Sequence, residues 1–187
     1  MEKMDLAALE EGLAALPLYQ YDFIDTSELV FSERIREVCR LECPMYDKSW
    51  ACPPAVGSVE ECRARCLGFP RALMLTTVTE VSDIADLEET LATRAPHEEI
   101  TREAADLVRA QGAEVMVLST EACAVCEKCA WPHGPCRHPE RMFPCVESHG
   151  VVATDIAERH GIEFIGGNVV TWFSLVFFRE PEDAGGE

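Results

Sequence analysis

The 187-residue chain carries 34 acidic against 16 basic side chains, a formal charge of -18, and 10 cysteines. That length builds one domain with a substantial core, and 48% hydrophobic residues is ordinary for a folded globular chain. The charge argues against a nucleic-acid partner, which needs clustered Lys and Arg to displace counterions, and no apolar run approaches the roughly 20 residues that cross a bilayer.

Leucines at 6, 9, 13 and 16 form a helical stripe over residues 4–16, ended by Pro17. Residues 19–24 alternate aromatic with polar side chains and read as a short strand, with Asp25, Thr26 and Ser27 as turn or cap residues. Ser32 caps a helix over 33–40 that carries Cys39 to its end, and the chain leaves it at Cys43-Pro44. Cys62 and Cys66 share one face of a helix over 58–67. The apolar run 71–78 is a central strand, 83–93 and 97–111 are helices parted or kinked at Pro96, and 113–119 is a second apolar strand that runs into Cys123. Residues 146–160 read as one helix. Residues 162–165, the turn Gly166-Gly167-Asn168 and residues 169–179 then read as a closing hairpin. The alternation predicts an α/β fold, with α+β as the variant: a single layered domain over 1–179 with a mixed sheet flanked by helices and cysteine-rich loops at one edge. From residue 180 an acidic tail is expected to be disordered.

Cys123-x2-Cys126-x2-Cys129 sets three thiols on one loop, and Cys136 and Cys145 follow. Two successive C-x2-C steps let a short backbone wrap one face of a cubane cluster, while a later cysteine caps the fourth iron. Cys123, Cys126, Cys129 and Cys136 are taken as the ligands of one [4Fe-4S] cluster. The competing readings are four-thiolate zinc, whose usual signature is two separated C-x2-C pairs, and a disulfide framework. His133, His138 and His149 lie close enough in sequence to replace a thiolate, though solvated loop or helix histidines are the plainer reading.

A second group is Cys39-x3-Cys43-x8-Cys52-Pro53-Pro54, where two prolines hold the ligand loop extended at low entropic cost. Cys66, with Cys62 as the alternative, is the candidate fourth ligand of a second cluster. The counter-reading for that helix pair is two buried thiols packing as small apolar residues. Residues 33–54 hold four basic and four acidic side chains and residues 121–145 three of each, so both cysteine segments are neutral in an acidic chain. Keeping surplus carboxylates away from an anionic thiolate cluster is electrostatically sensible.

The acidic start, Met1-Glu2-Lys3-Met4-Asp5, does not read as a secretion signal, and a cytoplasmic setting is expected. There thiols stay reduced, which favours metal or cluster ligation over disulfides. No phosphate loop, G-x-G-x-x-G, G-x-S-x-G or H-E-x-x-H occurs, so no catalytic constellation stands apart from the ligands.

Most of the chain resembles the DUF2284 proteins, predicted metal-binding proteins found mostly in anaerobic bacteria and archaea. The resemblance rests on Cys43-Pro44-x-Tyr46, Trp50-x-Cys52-Pro53-Pro54, the three-cysteine loop, Pro135-Cys136-Arg137-x-Pro139 and Glu147-x-x-Gly150. It implies cluster or metal binding and supplies no reaction. It also implies that Cys145 is not a ligand, which favours Cys136 as the fourth, and that Cys62 and Cys66 are less characteristic. Two functions are expected to compete: an iron-sulfur electron-transfer accessory protein of anaerobic metabolism with a redox protein partner, and a structural zinc protein serving protein-protein interaction.

Overall fold

A computed structural model describes residues 4–180. Four strands, β1 (Gln20–Asp25), β2 (Arg71–Glu80), β3 (Glu114–Leu118) and β4 (Val169–Arg179), form one sheet in the order β1-β2-β4-β3. The layered α+β arrangement read from the sequence is present, but all three strand pairings are antiparallel, so the sheet is not mixed. The physical reason is that β4, last in the chain, inserts between β2 and β3 and runs against both. β2 and β3 thus run parallel to each other across β4, the relation that the strand-helix-strand alternation announced.

Helices cover both faces. Because side chains alternate along a strand, Ala72, Met74, Phe173, Leu175 and Phe177 point to one side, where they pack with Ile156 and Ala157 of α6 (Ala153–Arg159) and Cys66 of α3 (Val59–Leu67). Leu73, Leu75, Val176 and Phe178 point to the other, against Leu9 and Leu13 of α1 (Leu6–Ala14) and Ala104, Ala105 and Val108 of α5 (Arg94–Ala110). Burial on both faces explains why β2 and β4 read as near-continuous apolar runs. Within this sandwich His97 is buried, its Nδ1 2.8 Å from Thr77 Oγ1 and its Nε2 2.7 Å from Ser174 Oγ.

Local signals set the remaining helices. Ser32 caps α2 (Glu33–Glu42) and Ser58 caps α3 in a capping box with Glu61. The break between α4 (Leu87–Ala92) and α5 falls at Thr93, not at Pro96. Proline is tolerated in a first helical turn, where its missing N–H has no partner to lose.

Two further expectations are corrected. Residues 146–160 are not one helix: a 3-10 turn, Glu147–His149, ends at Gly150 in the left-handed region (φ 74°), and α6 starts at Ala153. Between them Val151 bridges Phe31 antiparallel, and Ser32 N donates to Gly150 O at 2.7 Å. A Cβ at Gly150 would stand 3.0 Å from Val59 Cγ1 and 3.3 Å from the Ser32 carbonyl, so both the dihedral and the space require glycine. Residues 162–165 form no strand, because both edges of β4 are already paired, to β2 and β3. Glu180, expected in the disordered tail, ion-pairs with Arg71 at 3.2 Å; residues 181–187 lie outside the described residues. Among the described residues no helix is long and apolar enough to cross a membrane.

Candidate metal centre

The cysteine loops meet beyond the end of β3. Ser119, one residue past that strand, donates its N–H to Pro144 O at 2.9 Å and accepts from Val146 N at 3.0 Å. This isolated parallel bridge between Ser119 and Cys145 is the only parallel pairing among the described residues. It draws Cys145 beneath residues 120–122, the start of the cysteine loop. From the other side α2 packs on the Glu147–His149 turn, which brings Cys39 in its last turn and Cys43 at its C-cap to the same place.

Two adjoining cavities result. The larger, about 560 Å³, is walled by Cys123, Cys126, Cys129 and Cys136, with Cys43 at its edge. The smaller, about 280 Å³, is walled by Cys39, Cys43, Cys52 and Cys145, with Glu147 among them. Cys43, Glu121 and Ala122 belong to both walls. All ten cysteines are free, and eight of them reach these cavities: five line the larger and four the smaller, with Cys43 shared.

The two left out are Cys62 and Cys66, both fully buried. Cys66 packs in the core beside Phe69, Met74 and Ile156. Cys62 faces Arg65 Nη2 at 3.0 Å and Arg36 Nη2 at 3.5 Å, and its thiol donates to Val56 O at 3.4 Å. Cys66 thus packs as a small apolar side chain and Cys62 is held between two guanidinium groups, and neither lines the cavity walled by Cys39, Cys43 and Cys52.

A pair of indoles ties the loops together. Trp50 and Trp131 meet edge to face with ring centroids 4.7 Å apart; Trp50 Nε1 donates to Gly134 O and Trp131 Nε1 to Asp47 Oδ1, each at 2.9 Å. The N-terminal loop also supplies donors to the C-terminal one. Burial by itself would raise the Cys129 thiol, but the amides of Trp131, Trp50 and Ala130 and the Ser49 hydroxyl outweigh it and hold the pKa below the ordinary value.

Elsewhere burial wins. It pushes Cys52 up to about 12, with nearby Cys43 adding to the effect, and it raises Cys39, Cys123 and Cys145 as well. Glu147 is exposed where it lines the smaller cavity, and its pKa is raised, first by desolvation and then by the nearby Glu121 carboxylate. These thiols are neutral in the metal-free chain, so ligation must release protons.

Lys48, Arg94 and Arg137 line the larger cavity against Glu121 and Glu127. Arg94 Nη1 holds Ala122 O at 2.7 Å, and Arg137 donates to Lys128 O. The cations suit an anionic thiolate centre. Of the histidines, His138 lines the larger cavity and His133 is exposed. His149 is not the solvated helix residue expected: it is buried against Ser148, and burial first, then Arg65 and Arg36, lowers its pKa to about 3.

Among the described residues no three His, Cys, Asp or Glu side chains converge tightly enough to hold a metal ion. The thiols stand around cavity walls instead. Their chemistry, soft anionic donors backed by N–H groups, fits a thiolate-ligated metal or cluster. Sequence reasoning missed Cys145 and Glu147 as wall residues; the Ser119 bridge and the packing of α2 on the Glu147–His149 turn bring them in.

No curated protein and no solved structure matches the chain. A family model, described as predicted metal-binding protein (DUF2284), matches residues 22–178, a span that takes in every cavity-lining cysteine. The chain belongs to this family of predicted metal-binding proteins.

Proposed function

We propose that Cys123, Cys126, Cys129 and Cys136 hold a [4Fe-4S] cluster and that the chain is a cytoplasmic electron-transfer accessory protein of anaerobic metabolism. The observation that carries this reading is that the four thiols line one cavity of about 560 Å³. Such an arrangement suits a polynuclear centre better than one zinc ion, whose four thiolates must each lie about 2.3 Å from it. When bound, the cluster supplies reversible one-electron chemistry.

The protein's own residues do the rest. The N–H groups around Cys129 stabilise charge on its sulfur, and Lys48, Arg94 and Arg137 moderate the negative field of the site. A protein partner is supported by Leu87 on the cavity rim, 68% exposed, and by Leu41, 66% exposed and two residues from Cys43.

Anaerobic purification with iron, acid-labile sulfide and zinc analysis tests the reading. At least four irons and four sulfides per chain, with a reducible cluster signal in electron paramagnetic resonance, are expected. Zinc with no sulfide would replace this function by the structural one, in which the metal staples the loops for protein-protein interaction.

A further inference from the structure

We propose that the smaller cavity is a second four-thiolate site whose ligands are Cys39, Cys43, Cys52 and Cys145. The assignment rests on the iron-sulfur reading above for the identity of the group, but not for the identity of the ligands. Three of these thiols come from one stretch of chain, and a helix turn plus a proline-held loop delivers them. The fourth must come from elsewhere, and the sequence neighbours Cys62 and Cys66 are closed off in the core and beside Arg36 and Arg65.

Cys145 is the thiol that the fold supplies. It is held in place by the backbone bridge to Ser119 and by Ser148, whose N–H lies 3.3 Å from its sulfur. An amide donor to a sulfur is what a thiolate ligand needs once it has lost its proton. The count agrees: with Cys43 assigned here, the eight cavity-lining cysteines divide into two sets of four. The sites share a wall at Cys43, Glu121 and Ala122, so the two groups would be neighbours in one centre.

Single variants of the full chain, reconstituted anaerobically with iron and sulfide, test the ligand set. The intact chain should hold about eight irons by the four-per-cluster count. Cys145→Ala and Cys39→Ala should each fall to about half, while Cys66→Ala and Cys62→Ala stay at the full value. Full iron in Cys145→Ala, or a halving in Cys66→Ala, overturns the assignment.

Differential alkylation of the intact chain covers the case in which the Cys145 variant fails to fold. On stripping the metal, Cys39, Cys43, Cys52 and Cys145 should become reactive together. Equal labelling of Cys145 in loaded and stripped protein, with Cys39 protected only when loaded, overturns the assignment. The protection pattern does not depend on which metal is bound. Zinc found throughout would therefore defeat the proposed function while a joint protection of these four thiols still upheld the ligand set.

Discussion

Trp50 Nε1 donates to the carbonyl of Gly134 at 2.9 Å, across 84 residues of chain, and this bond fastens the N-terminal cysteine loop to the C-terminal one. With the edge-to-face contact to Trp131 it makes the two loops one structure. Trp50→Phe keeps a ring and loses the bond, and should cost about 1 kcal/mol in chemical denaturation of the metal-loaded protein. Trp50→Ala also loses the ring contact and should cost roughly 2–4 kcal/mol, with faster metal loss from the loaded protein. Equal stability of both variants and the parent would show that the loops do not lean on the indole.

Gly150 closes the turn that presents Cys145 and Glu147. Its φ of 74° alone costs a non-glycine residue roughly 1–2 kcal/mol, and the 3.0 Å approach to Val59 adds to that. Gly150→Ala should therefore lower stability by about 2 kcal/mol in thermal or denaturant unfolding. A neutral result would mean that the bridge between Phe31 and Val151 relaxes freely.

Two histidines should pull the pH dependence of stability in opposite directions. Burial lowers the pKa of His97 to about 4, below the unfolded value of about 6.5. Its contribution is thus fully present above pH 6.5 and drains away as pH falls through that value toward 4. His160 is raised, chiefly by its hydrogen bond to Asp22 Oδ2 at 2.7 Å, with Glu28 Oε2 at 3.1 Å helping against partial desolvation. That contribution is present below pH 6.5 and is lost as pH rises through the folded pKa. Magnetic resonance titration of the two rings should give inflections on opposite sides of 6.5, and coincident inflections would refute the placement of one of them.

Replacing any one of Cys123, Cys126, Cys129 and Cys136 by serine should strip or destabilise the first site, because a harder oxygen ligand suits the metal less well. Metal content of the purified variants reads this directly. Full content in two of the four would remove them as a ligand set.

Metal removal should affect the loops and spare the sheet. β2 and β4 are buried on both faces, whereas residues 43–48 and 123–142 are largely exposed or half-buried and form no regular element. Such segments cannot order themselves on apolar burial, so ligation acts as folding energy for them. Limited proteolysis of chelated protein should cut both loops and leave residues 71–80 and 169–179 intact. Equal resistance of chelated and loaded protein would mean that packing alone orders the loops.

Short-range chemistry made much of this protein legible from its sequence. Ser32 announced its helix because a cap satisfies donors within three residues, and β2 announced itself because burial on both faces writes an uninterrupted apolar run. The three-thiol loop was visible for the same reason: its spacing is local. Tertiary structure decided what depends on distant partners. Both edges of β4 are taken by β2 and β3, which turned an expected hairpin into a central strand and made the sheet antiparallel. One bridge, from Ser119 to Cys145, set a thiol with no local signature beside Cys39, Cys43 and Cys52, while Cys66, only 14 residues from Cys52, turned into the core. Spacing along a chain limits which thiols can meet; backbone pairing and burial between distant segments choose among them.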